Sequence, residues 1–335
     1  MTEKDRRGHH TLNQRFGART WGVLVAVFAL AHALPWLFPS LVHNLIMILL
    51  FAIMGQGWNV LSGYAGQFSF GHALFFGLGA YTSSILFIQL GISPWLGLFA
   101  AIALAVVVGL FIGFLSFRYG LTGPFFALIM LAFAEIFHML AMSWNAIGGA
   151  GGLLLPLRGS APWLMQFRAK EPFFYLLLWL LAGSLLLVWK LEGSRWGLYF
   201  QAIRENEDAA EMLGIDSLRV KLRAMALSAG MTAVGGVIYA QYLLFIDPDS
   251  TFGTINSVEI MLRPIIGGPG TVLGPVLGSL VLTPLSQITR NAFQSYSGAY
   301  LMFYGAILVA VVLFLPDGLV GLARRVMARR KGGQR

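Results

Sequence analysis

The sequence contains no cysteine. That excludes a disulfide framework and a thiolate metal site, and it assigns no compartment. Charge is also scarce: 11% of the 335 residues are Asp, Glu, Lys or Arg, against about 25% in soluble domains. So few charges cannot cover a water-soluble globule, so lipid is the expected solvent for much of the surface. No G-x-x-x-x-G-K-[ST] sequence occurs, nor any Gly-Lys pair. A phosphate loop is therefore missing, and any ATP used would bind another chain. There is no Ser-His or paired-Asp constellation and no metal-binding cluster of His and acids, so no catalytic residue, metal or cofactor is assigned to this chain.

What is present is apolar. Hydrophobic residues make up 57%, and the 40 glycines suit close helix approach in a membrane. Runs long enough to cross about 30 Å of hydrocarbon occur at 21–38, 44–62, 68–91, 95–117, 121–142, 173–191, 221–245, 272–289 and 300–316. A shorter run, 257–267, reads as a short or broken span. The fold class expected is an all-α integral membrane protein of about ten transmembrane helices. The basic stretch 1–20 precedes the first run. Ala31-His32-Ala33 loosely resembles a cleavage site, but the run continues to Phe38, so an uncleaved first span is expected.

The net charge is +9, but its placement argues against nucleic acid. With ten crossings, 18 of the 23 Lys and Arg fall on one side and four on the other. The positive-inside rule then makes both termini cytoplasmic. The expected organisation is a basic N-terminus (1–20), one transmembrane domain (21–316) and a basic cytoplasmic tail (317–335). An outer loop covers 143–172. The inner loop 190–223, with its coupling portion at 192–220, is the one dense cluster of mixed charge and suggests an amphipathic surface helix.

Three features carry candidate function. Gly63, Tyr64, Gln67, Ser69, Gly71 and His72 lie in a glycine-dense stretch that would weaken an ordinary helix. Two readings stand: a broken helix offering polar groups to a solute, or a turn followed by a packing face. The stretch is echoed at Gly267-Gly268-Pro269-Gly270, though glycines alone leave chance as an equal explanation. Arg204, Glu207, Asp208, Ala209, Ala210 and Gly214 form a short helical segment that could dock into a partner or lie among headgroups. Glu135, Glu259 and Arg263 are intramembrane charges, costly unless paired. Glu259 and Arg263 are spaced to pair on one helix face, as a gate or a structural lock. Gly109-x-x-x-Gly113 and Gly274-x-x-x-Gly278 read as packing notches.

Leu61-Ser62-Gly63-Tyr64-Ala65-Gly66-Gln67-Phe68-Ser69-Phe70-Gly71-His72-Ala73 resembles the signature of branched-chain amino acid ABC transporter permease subunits of the LivM type. Asn145 to Leu153, Gly267 to Pro275 and Leu315-Pro316-Asp317-Gly318-Leu319 resemble that family's outer loop, late glycine-proline segment and C-terminal ending. Ala150 and Gly151 depart from it. Asp208-Ala209-Ala210 followed by Gly214 resembles the core of the loop by which such permeases engage their ATPase; the usual Leu-Pro ending is absent.

The resemblance implies an alternating-access importer in a bacterial inner membrane. Its partners would be a second related permease, two ATP-binding subunits and an extracytoplasmic solute-binding protein. Branched-chain amino acids are the implied solute, with urea or short amides as the alternative. A proton-coupled secondary transporter using Glu135 and Glu259 is the rival class.

Overall fold

The computed structural model describes residues 18–292, 302, 305–306 and 318–322. Helix dominates it. An N-terminal unit ends at His43 and the main unit begins at Asn44. The N-terminal unit holds α1 (Ala18–Leu37), followed by a short turn at Pro39–Leu41.

The main unit is built from α2 (Val42–Trp58), α3 (His72–Leu90), α4 (Pro94–Arg118), α5 (Pro124–Ser143), α6 (Glu171–Glu192) and α9 (Ser217–Leu243). Two short helices, α7 (Arg195–Glu205) and α8 (Glu207–Met212), fill the loop before α9. After it come α10 (Pro248–Thr251), α11 (Thr254–Gly267) and α12 (Gly274–Ala292). Two-residue strands, β1 (Leu153–Leu154) and β2 (Phe245–Ile246), pair antiparallel and tie the 143–172 loop to the end of α9. Nine of the ten expected segments are thus helices at nearly the expected bounds. The tenth, 300–316, lies almost wholly outside the described residues.

Among the described residues, six helical stretches are long and apolar enough to span a membrane, including Pro39–Tyr64 and Ser217–Leu243. The protein is an all-α membrane protein. α11 has 14 residues, about 21 Å of helix, so by itself it falls short of the hydrocarbon thickness.

Small residues set the packing. α9 runs beside α3 at backbone contact. A methyl at Gly79 would meet Ala233 O at 2.2 Å, and one at Gly236 would meet Phe76 O at 2.1 Å. α4 covers the same pair, with Gly109 against Ala229 and Phe75, and Gly113 against Leu222 and Met225. α11 and α12 form a tight hairpin in which Gly278 lies over Arg263 O, with no room for a side chain. Both small-xxx-small notches therefore act as packing surfaces, as expected where dispersion rather than hydrophobicity joins helices.

The third span differs from the expected 68–91. Its helix starts at His72, because Ala65–Gly71 is non-helical. The loop segment 204–214 also differs from one continuous helix. Asn206 leaves helical geometry (φ −161°) and its side chain accepts from Ala209 N at 3.0 Å, ending α7 and capping α8.

Candidate functional site

The glycine-rich break is a constructed feature. α2 widens into a π-helical turn at Asn59–Tyr64, and a π turn often marks a functional position. Gly66 then takes φ +72°, which only glycine adopts cheaply. The segment that follows is stitched to its neighbours. Trp58 Nε1 donates to Ser69 O at 2.8 Å, Ser62 Oγ to Gln67 O at 2.9 Å, and Gly71 N to Ser69 Oγ at 3.2 Å. His72 is hydrogen-bonded on both ring nitrogens, Nδ1 to Ser69 Oγ at 3.1 Å and Nε2 to Ser228 Oγ of α9 at 2.7 Å. Gly71 lies on α5: a methyl there would sit 2.3 Å from Met130 O. Gly63, Tyr64, Gln67, Ser69, Gly71 and His72 are all buried in this conformation. Gln67 Nε2 donates to Ala65 O at 3.2 Å while its Oε1 lacks a partner, and Tyr64 Oη donates to Glu192 Oε2 at 3.4 Å.

The two echoing glycine segments meet in space. A methyl at Gly63 would lie 2.6 Å from Gly270 N, and one at Gly270 would lie 2.9 Å from Gly63 O. Asn59 holds the crossing: its Oδ1 accepts from Gly270 N at 2.8 Å and its Nδ2 donates to Thr271 O at 2.9 Å. One turn earlier on α2, Gln56 Nε2 donates to Val272 O. Gly318, at φ +66°, closes on Gly268 from the other side, a methyl there coming within 2.6 Å of Gly268 N. Three of the four segments that suggested a family thus converge on one junction.

The charged loop abuts this junction. Arg204, at the end of α7, donates from Nη1 to Gly63 O at 2.6 Å, and its stem rests on Gly66. In α8, Glu207 pairs with the buried Lys221 of α9, which also lies 5.3 Å above the Phe117 ring. Glu207 therefore faces inward, whereas Asp208 and Ala209 are exposed and Ala210 is buried. Beyond α8 the chain turns at Gly214, φ +84°. Met212 and Leu213 project from this tip, 91% and 83% exposed.

The family profile described as "Branched-chain amino acid transport system / permease component" matches residues 40–312. The chain belongs to this family. It is a membrane permease component, a transport subunit rather than an enzyme. It is 27% identical over 333 residues to the high-affinity branched-chain amino acid transport system permease protein LivM of Escherichia coli K12, covering 92% of this chain and 77% of that one. It is 25% identical over 286 residues to the corresponding LivH protein of Salmonella typhimurium, covering 81% and 91%. Over 109 residues it is 30% identical to the autoinducer 2 import system permease protein LsrC of Salmonella paratyphi B, covering 31% and 32%. No solved structure matches.

In the permease the charges expected within the spans fall in two groups. Arg263, 1% exposed, pairs with Glu259 Oε2 at 3.1 Å, donates also to Glu259 O, and lies 3.6 Å from the centre of the Phe51 ring on α2. Its Nε has no partner. Glu135 joins a separate cluster between α5 and the α10–α11 segment. There His138 lies between Glu135 Oε1 at 3.4 Å and Asp249 Oδ1 at 2.9 Å, and Thr254 Oγ1 donates to Glu135 Oε2 at 3.2 Å. Among the described residues no group of three His, Asp or Glu is arranged to hold a metal. Asn59, Ser228, Lys221 and Asp249 had no signal beyond being polar residues in or beside apolar runs.

Proposed function

We propose that this permease is the translocation subunit of an ATP-driven importer, most plainly for branched-chain amino acids, working by alternating access in a bacterial inner membrane with both termini cytoplasmic. The observation that carries the reading is the α7–α8 tip. Two large apolar side chains, Met212 and Leu213, stand in the open on a charged loop, at the site that resembles an ATPase-docking loop. Exposed apolar residues rimmed by charge suit a cleft on a partner. The family description and the names of the relatives support the solute class.

In this reading ATP binds and is hydrolysed on two partner ATPase chains, a second related permease completes the pore, and an extracytoplasmic protein delivers solute. Glu207, Asp208, Ala209, Ala210 and Gly214 shape the docking loop, with Asp208 and the exposed tip facing the ATPase, and Arg204 couples that loop to the glycine break behind it. Gly63, Tyr64, Gln67, Ser69, Gly71 and His72 belong to the moving part of the pathway. They are closed off here and re-exposed when ATP drives the other conformation. Glu259 and Arg263 act as a structural lock on α11, since Arg263 is buried and its bonds to the half-buried Glu259 lie within its own helix.

The test is co-purification of a tagged chain expressed with its partners. Equal amounts of this chain and a second permease, with two ATPase chains, are expected. Recovery of the tagged chain alone, while the other subunits remain together without it, would overturn the reading.

A further inference from the structure

Arg204, an exposed residue, lies in the segment that would engage the ATPase, yet its guanidinium reaches back to the glycine break. Nη1 donates to Gly63 O at 2.6 Å. A methyl built on Gly270 would lie 2.6 Å from the same Nη1. A methyl on Gly66 would lie 3.0–3.1 Å from Arg204 Cα, Cβ and Cγ. One side chain therefore touches both glycine segments, the π turn that ends α2 and the turn between α11 and α12. Both segments depend on positive-φ glycines, Gly66 at +72° and Gly270 at +70°, so their backbones bend at defined points. Only two residues, Glu205 and Asn206, separate Arg204 from α8, and Asn206 leaves helical geometry at φ −161°. The exposed tip is thus joined to the two turns through the short helix α8 and one arginine. The guanidinium suits this role, because its donors are fixed in a planar fork that can hold backbone oxygens at a set geometry.

We propose that Arg204 is a positioning residue that couples the α7–α8 loop to the paired glycine turns, so that the turns part or close when the loop moves. The proposal rests on the reading of the chain as an ATP-driven permease. It assigns Arg204 a role distinct from ATPase contact: its loss uncouples hydrolysis from transport and leaves docking intact.

Three measurements test it. The first uses the chain alone in detergent. Hydrogen exchange at the amides of 268–274 should speed up in Arg204→Ala and return towards the parent rate in Arg204→Lys, which keeps a donor for Gly63 O. Exchange unchanged in Arg204→Ala overturns the proposal whatever partners the protein has. The second uses the assembled complex in vesicles. Arg204→Ala should co-purify with the ATPase, hydrolyse ATP near the parent rate and import about tenfold less solute per ATP, within the range of coupling between linked sites. Loss of ATPase binding in this variant, or unchanged solute per ATP, overturns it. The third combines Arg204→Ala with Gly270→Ala, whose methyl displaces the guanidinium. That methyl also crowds Gly63 O and strains a positive-φ backbone, but removing Arg204 relieves its closest approach, so the double variant should lose less than the product of the two single losses; losses that multiply overturn the shared contact. Failure of the parent chain to recruit any ATPase would instead contradict the importer reading, and the exchange result would still decide whether Arg204 positions the turns.

Discussion

Arg263 and Gly71 show what single residues contribute. A buried guanidinium is tolerable only with compensation, and Glu259 together with the Phe51 ring provides it. Removing one partner of a buried pair leaves an uncompensated charge and costs about 3–5 kcal/mol, whereas replacing both with apolar residues of similar size is far milder. Arg263→Met should therefore lower the melting temperature in detergent sharply, and Arg263→Met combined with Glu259→Met should recover most of the loss. Equal stability of the single and double variants would contradict a structural lock. Gly71 makes the complementary case. Its neighbour is the Met130 carbonyl, a backbone atom that cannot rotate away. Gly71→Leu should insert into the membrane but force α3 from α5 and abolish uptake; overpacking of this kind costs about 1–3 kcal/mol or more. Normal uptake would mean that α3 and α5 separate freely at this point.

At the scale of elements, the α7–α8 loop combines inward and outward functions on one short segment. Glu207 holds Lys221, so Glu207→Lys sets two cations together beside α9 and should destabilise the permease itself. Asp208→Lys changes an exposed charge and should act on the partner interface alone. Thermal melting of the isolated chain separates them: a drop is expected for Glu207→Lys and none for Asp208→Lys. Gly214→Ile places a β-branched residue at φ +84°, costing about 1–2 kcal/mol, and should reduce uptake and solute-stimulated hydrolysis together by misdirecting the tip. The spans were legible because each is a long apolar run, and the small-xxx-small notches because glycine spacing alone encodes close approach. The break before α3 was legible as glycine density, but its length was not: Phe68 and Phe70 look like helix residues until Gly66 turns the chain. The division at Asn206 was hidden because a capping asparagine inside a polar run resembles any other surface residue. The junction was hidden for a different reason. Asn59 and Gln56 are two polar residues in an apolar run, and only the fold brings the turn at 270–272 against them.

At the scale of the whole molecule, the basic residues and the glycine junction point to one working end. The α7–α8 loop, the two glycine turns and Gly318 gather there. In the proposed topology the distribution of Lys and Arg puts that end in the cytoplasm. Reporters within 195–215 and after residue 335 should report cytoplasm, and one within 150–165 the outside; a C-terminal reporter found outside would sink the ten-crossing topology. The rival account, a carrier driven by protons, would use Glu135 and Glu259 along its route. The two accounts differ in their energy source, and one measurement separates them. The permease, reconstituted in vesicles with its partner subunits and loaded binding protein, is given ATP while a protonophore collapses the proton gradient. Uptake of leucine, isoleucine or valine should continue at the full rate and stop when ATP is withheld. Uptake that persists without ATP and disappears with the proton gradient would contradict the account.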